Sequence, residues 1–327
     1  MVTGGGGFLG ARIVSMLLDR GWQVTSFSRQ RHNSLVERGA VYQLGNLADS
    51  AAVDAAVRGV DVVFHVAARA GIWGDLASYY AVNVTGTQNV LAACRRNGVR
   101  KIVYTSTPSV VFSGQDIRHA SEGTPLAGKH LSHYSTTKAM AERLVLDANG
   151  PDLATVALRP HIIWGPGDNQ LLPRLVERHR AGRLVLIGRG DNLIDTTFVD
   201  NAASAHIEAA GRLEPGAAPA GRPYFISQGD PRPFATMLNA LLGAVGLPPV
   251  RRSIPVPVAY AAAWLLETGY RMCAVADEPA LTRYSVLQMA RDHYFDISAA
   301  RRDLGYAPTV SIEEGLDRMR DDHGLDR

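Results

Sequence analysis

Tyr134-Ser135-Thr136-Thr137-Lys138 is the segment of this chain most able to do chemistry, because a Tyr and a Lys four residues apart share one helix face and can act on one bound molecule. The chain holds only three lysines and eleven tyrosines among 327 residues, so the pairing is uncommon by chance. A free phenol titrates near pH 10, and an adjacent ammonium that favours phenolate brings it closer to working pH. Tyr134 can then exchange a proton with a substrate oxygen, with Lys138 as its electrostatic partner. The bland alternative is an exposed helix with a packed ring and a solvated ammonium. A second motif weighs against it.

Met1-Val2-Thr3-Gly4-Gly5-Gly6-Gly7-Phe8-Leu9-Gly10 runs directly into Ala11–Leu18, whose apolar residues recur at helical spacing, with Gly21 as a stop. Strand, glycine turn and helix in that order form a dinucleotide cradle. Gly4 permits the bend, Gly7 lets the backbone approach a pyrophosphate, and Gly10 lets helix and strand pack closely, with the anion at the helix N-terminus. Flexible linkers also carry glycine runs, but an amphipathic helix and a second apolar stretch, Gln23–Phe27, do not follow them at once.

The elements that must carry these motifs alternate. Strands are expected at Val2-Thr3, Gln23–Phe27, Val41–Leu44, Val62–Val66, Lys101–Thr105, Thr155–Leu158 and Tyr224–Ile226. Helices are expected at Ala11–Arg20, Ala51–Val57, Val82–Asn97, Tyr134–Ala148 and Asn201–Ala210. This rhythm predicts an α/β fold, a Rossmann-type doubly wound parallel sheet covered on both faces. After Pro160 it loosens into Pro- and Gly-rich stretches, predicting a smaller C-terminal substrate-binding lobe. The expected division is residues 1–160 plus about 191–227 for the nucleotide domain, and about 161–190 with 228–327 for the lobe. Substrate belongs in the crevice between them.

Composition fits a soluble cytoplasmic enzyme. Basic and acidic side chains number 34 and 31, with no basic stripe interleaved with aromatics, so nucleic acid is not an expected partner. Cys94 and Cys273 are the only cysteines, which argues against a disulfide framework. The glycine run begins at residue 4, leaving no room for a signal peptide, although three residues are short for a first strand. The best apolar run, Val256–Leu266, is too short to span a bilayer and contains Pro257; a weak peripheral membrane contact is the most it suggests. His130 and His133 have no carboxylate or thiolate company, and no metal is expected. Glu177-Arg178-His179-Arg180 with Arg183 reads as a solvated helix face. His161 is open between substrate contact and packing.

These stretches together resemble the extended short-chain dehydrogenase/reductases. Beyond the glycine loop and the Tyr134–Lys138 segment, the matching residues are His65-Val66-Ala67-Ala68, Asn83-Val84-Thr85-Gly86-Thr87, Tyr104-Thr105-Ser106-Thr107, Leu158-Arg159-Pro160 and Trp164-Gly165-Pro166-Gly167-Asp168, in the family's order. The resemblance implies a nicotinamide cofactor and a triad of Tyr134, Lys138 and a hydroxyl, with Thr107 aligning best and Ser106 next. It implies cofactor contacts from Gly4, Gly7, Phe8, Leu9, Gly10, Ser28, Asn46, Leu47, Ala67, Ala68, Tyr134, Lys138, Pro160 and Ile163, and often a homodimer. Phe27-Ser28-Arg29-Gln30-Arg31 has no carboxylate to hold the ribose 2′-hydroxyl of NAD but two guanidiniums, Arg29 and Arg31, that suit the phosphate of NADP(H). Gly45-Asn46-Leu47 carries Asn where the family commonly has Asp.

Ile194 stands where the nucleotide-sugar branch of that family places a diphosphate-clamping Arg, which argues against an epimerase or dehydratase. Asp195-Thr196-Thr197-Phe198-Val199, Tyr104–Val110 and Glu278-Pro279-Ala280-Leu281-Thr282-Arg283 instead resemble the 3β-hydroxysteroid dehydrogenase-like branch. Within it, Ala157–Leu171, Asp195-Thr196-Thr197 and Ala70-Gly71-Ile72-Trp73-Gly74 are similar to bacterial reductases of 2-alkyl-3-oxoalkanoic acids from long-chain olefin biosynthesis. That resemblance implies NADPH-dependent reduction of a hydrophobic β-keto acid to the hydroxy acid. 3β-Hydroxysteroid or sterol oxidoreduction is the alternative, with a non-catalytic NADP sensor a distant third. Leu171-Leu172 and Leu184–Ile187 suit alkyl chains or simply the core.

Overall fold

The computed structural model describes residues 1–273, 275–322 and 324. Seven parallel strands form the main sheet, in the spatial order Arg222–Ile226, Ala154–Pro160, Lys101–Thr105, Val62–His65, Val2–Thr3, Thr25–Ser28 and Val41–Leu44. Both faces are buried, so every residue of Val62–His65 and Ala154–Pro160 is buried without alternation, the polar His65, Thr155 and Arg159 included. Helices Phe8–Asp19 and Val199–Arg212 cover one face, through Ile13, Val14, Leu17, Ala202 and Ala209. Helices Ser50–Val57, Gly86–Arg96 and His133–Asp147 cover the other, through Val53, Val90, Cys94, Ala141 and Val145. Strand order reverses at Val2–Thr3, between Thr25–Ser28 and Val62–His65, and the crevice opens beyond the carboxyl ends of the strands at that point.

Boundaries shift where local chemistry differs from simple periodicity. The first helix starts at Phe8, because Gly7 is extended (φ −79°, ψ 170°) and serves as its N-cap. The expected Val82–Asn97 helix opens with a π-turn, Ala81–Thr85, before regular helix resumes at Gly86. Pro257 does not interrupt the apolar run. It lies in the first turn of helix Val256–Met272, where a missing N–H costs nothing. That helix leaves Val258, Trp264, Leu265 and Met272 exposed. No helix among the described residues is long and apolar enough to cross a membrane.

A second sheet of four short strands follows the order Arg232–Pro233, Leu193–Ile194, His293–Phe295 and Ile117–Ala120. Ile117–Ala120 belongs in sequence to the first 160 residues, yet it pairs with His293–Phe295 rather than with the main sheet. Leu184 and Leu186 pack with Leu238 and Leu242, and Ile187 packs with Ala259 and Val286, so the Leu184–Ile187 segment is core and not substrate surface.

Candidate active site

The glycine turn is held by its own backbone. Gly4 N–H donates to Phe27 O (2.8 Å), Gly7 N–H to Gly4 O (2.8 Å) and Ala11 N–H to Gly7 O (2.7 Å). Gly4 has φ +67°, and a Cβ on it would lie 2.9 Å from Ala67 Cα. A Cβ on Gly7 would meet only Gly4 O, at 3.3 Å; its outer side is open to a crevice of about 620 Å³. An open backbone at a helix N-terminus is the cradle a pyrophosphate needs, so the residues present fit a dinucleotide.

Behind the crevice a buried chain of side chains fixes the loop after Val62–His65. Thr3 Oγ1 accepts from the N–H groups of Val66 and Ala67 (3.1 Å each), leaving its own proton for His65 Nδ1 (2.8 Å). His65 Nε2 then donates to Thr87 Oγ1 (3.0 Å), whose hydroxyl donates to Asn83 O (2.6 Å). Burial lowers the His65 pKa to about 3, consistent with a neutral ring of that tautomer. Asn83 extends the tie. Its Oδ1 accepts from Arg69 N–H (2.7 Å), while its Nδ2 donates to Arg69 O (3.2 Å) and to Thr137 Oγ1 (3.0 Å), on the helix that bears Tyr134.

That helix, His133–Asp147, begins where Ser132 Oγ accepts from Ser135 N–H (3.1 Å), a side-chain N-cap. Tyr134 is half-buried and Lys138, one turn on, is buried, and both line the crevice. Lys138 Nζ donates to Thr105 O (2.6 Å) and stands 4.1 Å from the Tyr104 ring centroid. Burial lowers its pKa to about 7, partly offset by Glu142. Burial also raises the Tyr134 phenol, opposed by a hydrogen bond from Thr107. The sequence predicted a phenol drawn down by Lys138; here desolvation outweighs other influences, and the phenol keeps its proton through neutral pH.

Thr107 caps the short turn Pro108–Val110 after strand Lys101–Thr105, accepting from Ser109 N–H at 3.2 Å. Ser106 also lines the crevice, and its buried hydroxyl has no partner among the described residues. The conspicuous Arg159 serves the scaffold: its guanidinium grips Glu142 with two bonds (2.9 and 2.6 Å), tying the helix that bears Tyr134 to its neighbouring strand.

Of the residues singled out from sequence, Gly4, Gly7, Phe8, Leu9, Gly10, Arg29, Asn46, Leu47, Ala67, Ala68, Ser106, Thr107, Tyr134, Lys138, Pro160 and Ile163 line this one crevice. Ser28 and Arg31 do not. Ser28 Oγ donates to Gln30 O (2.7 Å) and Arg31 is exposed on the turn. His161 is turned away, packed between Asp195 (Nδ1 to Oδ1, 2.5 Å) and His293 (Nε2 to Nδ1, 3.1 Å). Its neighbour Ile162 lines the crevice at φ +36°, a strained conformation for a β-branched residue, held by Thr197 N–H on Ile162 O (3.1 Å). Sequence reasoning missed Arg69, Asp168, Gln170 and Ile162 as lining residues. Asp168 and Gln170 lie in the family-like stretch Ala157–Leu171; Asp168 accepts from the N–H groups of Gln170, Leu171 and Leu172 (2.8, 3.1 and 2.9 Å), opening helix Leu171–Arg180 at the crevice edge.

The model of the 3-beta hydroxysteroid dehydrogenase/isomerase family matches residues 1–257. The chain belongs to this family. It is an NAD(P)-dependent oxidoreductase of the extended short-chain type. Among its relatives in the family, a 2-alkyl-3-oxoalkanoate reductase of Stenotrophomonas maltophilia is 49% identical, covering 98% of each chain. A decarboxylating sterol-4-alpha-carboxylate 3-dehydrogenase of Mus musculus is 37% identical over 97% of this chain and 88% of its own. The fold also matches a solved UDP-glucose 4-epimerase of Thermus thermophilus in complex with NAD, at TM-score 0.75 and 24% identity over 99% of this chain and 98% of that one.

Proposed function

We propose that this enzyme reduces a 2-alkyl-3-oxoalkanoic acid to the 2-alkyl-3-hydroxyalkanoic acid with NADPH. The observation that carries the reading is the crevice itself, where Tyr134, Thr107 and Lys138 converge and a guanidinium, Arg69, stands at the rim. Arg69 rests 5.0 Å from the Tyr79 ring centroid and has no carboxylate within ion-pair distance among the described residues. Its backbone is tied through Asn83 to the helix of Tyr134, which fixes the point from which its side chain departs. The names of both curated relatives place a carboxylate near a reacting C3 oxygen. Arg69 supplies the cation for such a carboxylate.

A bound nicotinamide supplies the hydride. Tyr134 donates its proton to the carbonyl oxygen, a role suited by a phenol whose pKa burial has raised. Thr107 donates a hydrogen bond to the same oxygen and stabilises its developing charge. Lys138 orients the ribose and adds positive potential. Arg29, at the end of strand Thr25–Ser28 and lining the crevice, meets the 2′-phosphate of NADPH, with Arg31 beside it on the surface. The apolar lining Val66, Ala70, Val82, Ile162 and Leu171 takes the alkyl chains.

Absorbance at 340 nm tests the reading with a 2-alkyl-3-oxoalkanoic acid, a 3-ketosteroid, NADPH and NADH in parallel. Oxidation of NADPH by the keto acid is the expected result, and Arg69→Gln raises KM for the acid while leaving KM for NADPH unchanged. Turnover with the steroid alone favours the sterol reading, for which the mouse relative speaks. A preference for NADH overturns the role given to Arg29.

A further inference from the structure

Helix Val256–Met272 turns an apolar face to solvent. Its buried line is Ala259, Ala263 and Glu267, spaced four apart, with the two alanines packed beside Ile187 and Val286. Val258, Leu265 and Met272, spaced seven apart, lie along the opposite line and are 58, 63 and 83% exposed, where a surface helix ordinarily carries polar groups. Glu267 is the only charged residue of the helix before Arg271, and it is turned inward to accept from Arg283 N–H (2.7 Å) and the Arg283 guanidinium (2.9 and 2.7 Å). The outer face is therefore free of charge for about four turns.

Half of the large apolar side chains exposed among the described residues fall between Val258 and Val275. Scattered ones are ordinary, but a concentration of them marks a surface that something covers. The surface continues into an open groove of about 900 Å³ lined by Leu131, Tyr260, Trp264 and Leu287.

Cations stand at both ends. Arg251 and Arg252 are exposed just before the helix, with no carboxylate within ion-pair distance among the described residues, and Arg271 is exposed in its last turn. Glu278 is paired with Arg174 (3.3 Å), so Asp277 is the one exposed acid left beside this surface. An apolar stripe with Trp and Tyr at its edge and arginines at its ends matches an anionic bilayer, whose acyl boundary takes the stripe while headgroup phosphates meet the guanidiniums. A second copy fits less well, because a two-fold pairing of this helix, parallel or antiparallel, sets arginine against arginine.

The helix ends at the mouth of the crevice. Trp73 follows closely on Arg69 and Ala70 of the lining. Its Nε1 donates to Val275 O (3.4 Å), its ring stands edge-on to Tyr270 with centroids 6.3 Å apart, and the Arg271 guanidinium lies 5.5 Å from that ring.

We propose that helix Val256–Met272 seats the enzyme on an anionic lipid bilayer with the crevice mouth at the membrane surface, so that a substrate with alkyl chains enters from lipid rather than from water. The route of entry rests on the hydrophobic substrate proposed above; the seating does not.

Flotation of the purified full chain, without substrate, is measured with vesicles of phosphatidylcholine alone and of phosphatidylcholine mixed with phosphatidylglycerol. Wild type floats with the mixed vesicles, and the bound fraction falls as salt rises. The triple variant Val258→Ser, Leu265→Ser, Met272→Ser lowers vesicle affinity by about tenfold or more. Arg251→Gln with Arg252→Gln lowers it by about 10- to 30-fold on the mixed vesicles. Both variants keep wild-type Tm and NADPH affinity. Wild type that does not float, or a serine variant that floats as wild type does, overturns the proposal. A serine variant that changes the sedimentation coefficient but not vesicle binding overturns it in favour of a second copy. With keto acid presented in the mixed vesicles the serine variant raises KM and keeps kcat; an unchanged KM overturns the route of entry. An enzyme that floats but does not reduce the keto acid refutes the substrate reading and leaves the seating in place.

Discussion

Gly7→Ala and Gly10→Ala are the same chemical change three residues apart, and the structure expects them to fail in opposite ways. At Gly10 an added Cβ lies 2.1 Å from Gly4 O, 2.8 Å from Gly4 C and 3.1 Å from Gly5 Cα, all backbone atoms that cannot rotate aside. Helix and turn have to part by about 1 Å to reach ordinary van der Waals separation. Overpacking of this kind costs about 1–3 kcal/mol, equivalent to a Tm loss of roughly 1–5 °C in a chain of this size. At Gly7 the backbone is already in a region open to alanine, and the new methyl meets only Gly4 O, at 3.3 Å. Stability there holds or rises by about 0.4–1 kcal/mol, through the unfolded chain. The methyl instead occupies the face offered to the pyrophosphate. Loss of one hydrogen bond to a charged group, about 1.5–3 kcal/mol, weakens cofactor binding about 10- to 100-fold. Thermal melts without cofactor and fluorescence titration with NADPH separate the two. A Gly7→Ala protein that binds NADPH as wild type does refutes the placement of the pyrophosphate, and a Gly10→Ala protein with unchanged Tm refutes the close packing.

Other perturbations probe the rest of the site. Tyr134→Phe keeps cofactor affinity and loses turnover by about 10²- to 10⁴-fold; a variant that retains more than about a tenth of wild-type turnover sinks the proton-donor role. Lys138 has a folded pKa of about 7, below its unfolded value of 10.5, so the unfolded chain binds the extra proton between these pH values and stability rises with pH across the window. Its contribution reaches about 1.4 kcal/mol per pH unit, and urea titrations at pH 7, 8 and 9 should show that slope in wild type and not in Lys138→Met; equal slopes would count against a buried ammonium. Arg159→Met leaves Glu142, which is 1% exposed, as an unpaired buried carboxylate and costs about 3–5 kcal/mol. Adding Glu142→Leu recovers most of that, and a single variant with wild-type Tm means the pair is not buried as described.

The helix of Tyr134 and Lys138, the glycine turn and the main sheet were legible in the sequence because each is written in local constraints. Tyr134 and Lys138 share a helix face by spacing alone, and Gly4 sits at φ +67°, where a side chain is disfavoured. Most strands of the main sheet fall within a residue or two of their expected places, because the central strands, buried on both faces, are rich in apolar residues. The two-residue strands such as Leu193–Ile194 and Arg232–Pro233, and the half-exposed Ile117–Ala120, carry no such pattern; their partners in space make them strands.

What only the tertiary structure decided is the setting of the chemistry. Spacing suggested that Lys138 lowers the Tyr134 phenol, but the balance between charge and desolvation depends on how much of the fold closes over each group, and here burial raises the phenol and lowers the amine. Arg69 takes its place through Asn83, whose amide also bonds Thr137 on the helix of Tyr134, 54 residues further along the chain. Backbone conformation answers to neighbours in the chain, and the sequence lists those. Electrostatics and hydrogen-bond direction answer to neighbours in space, which exist only once the chain has folded.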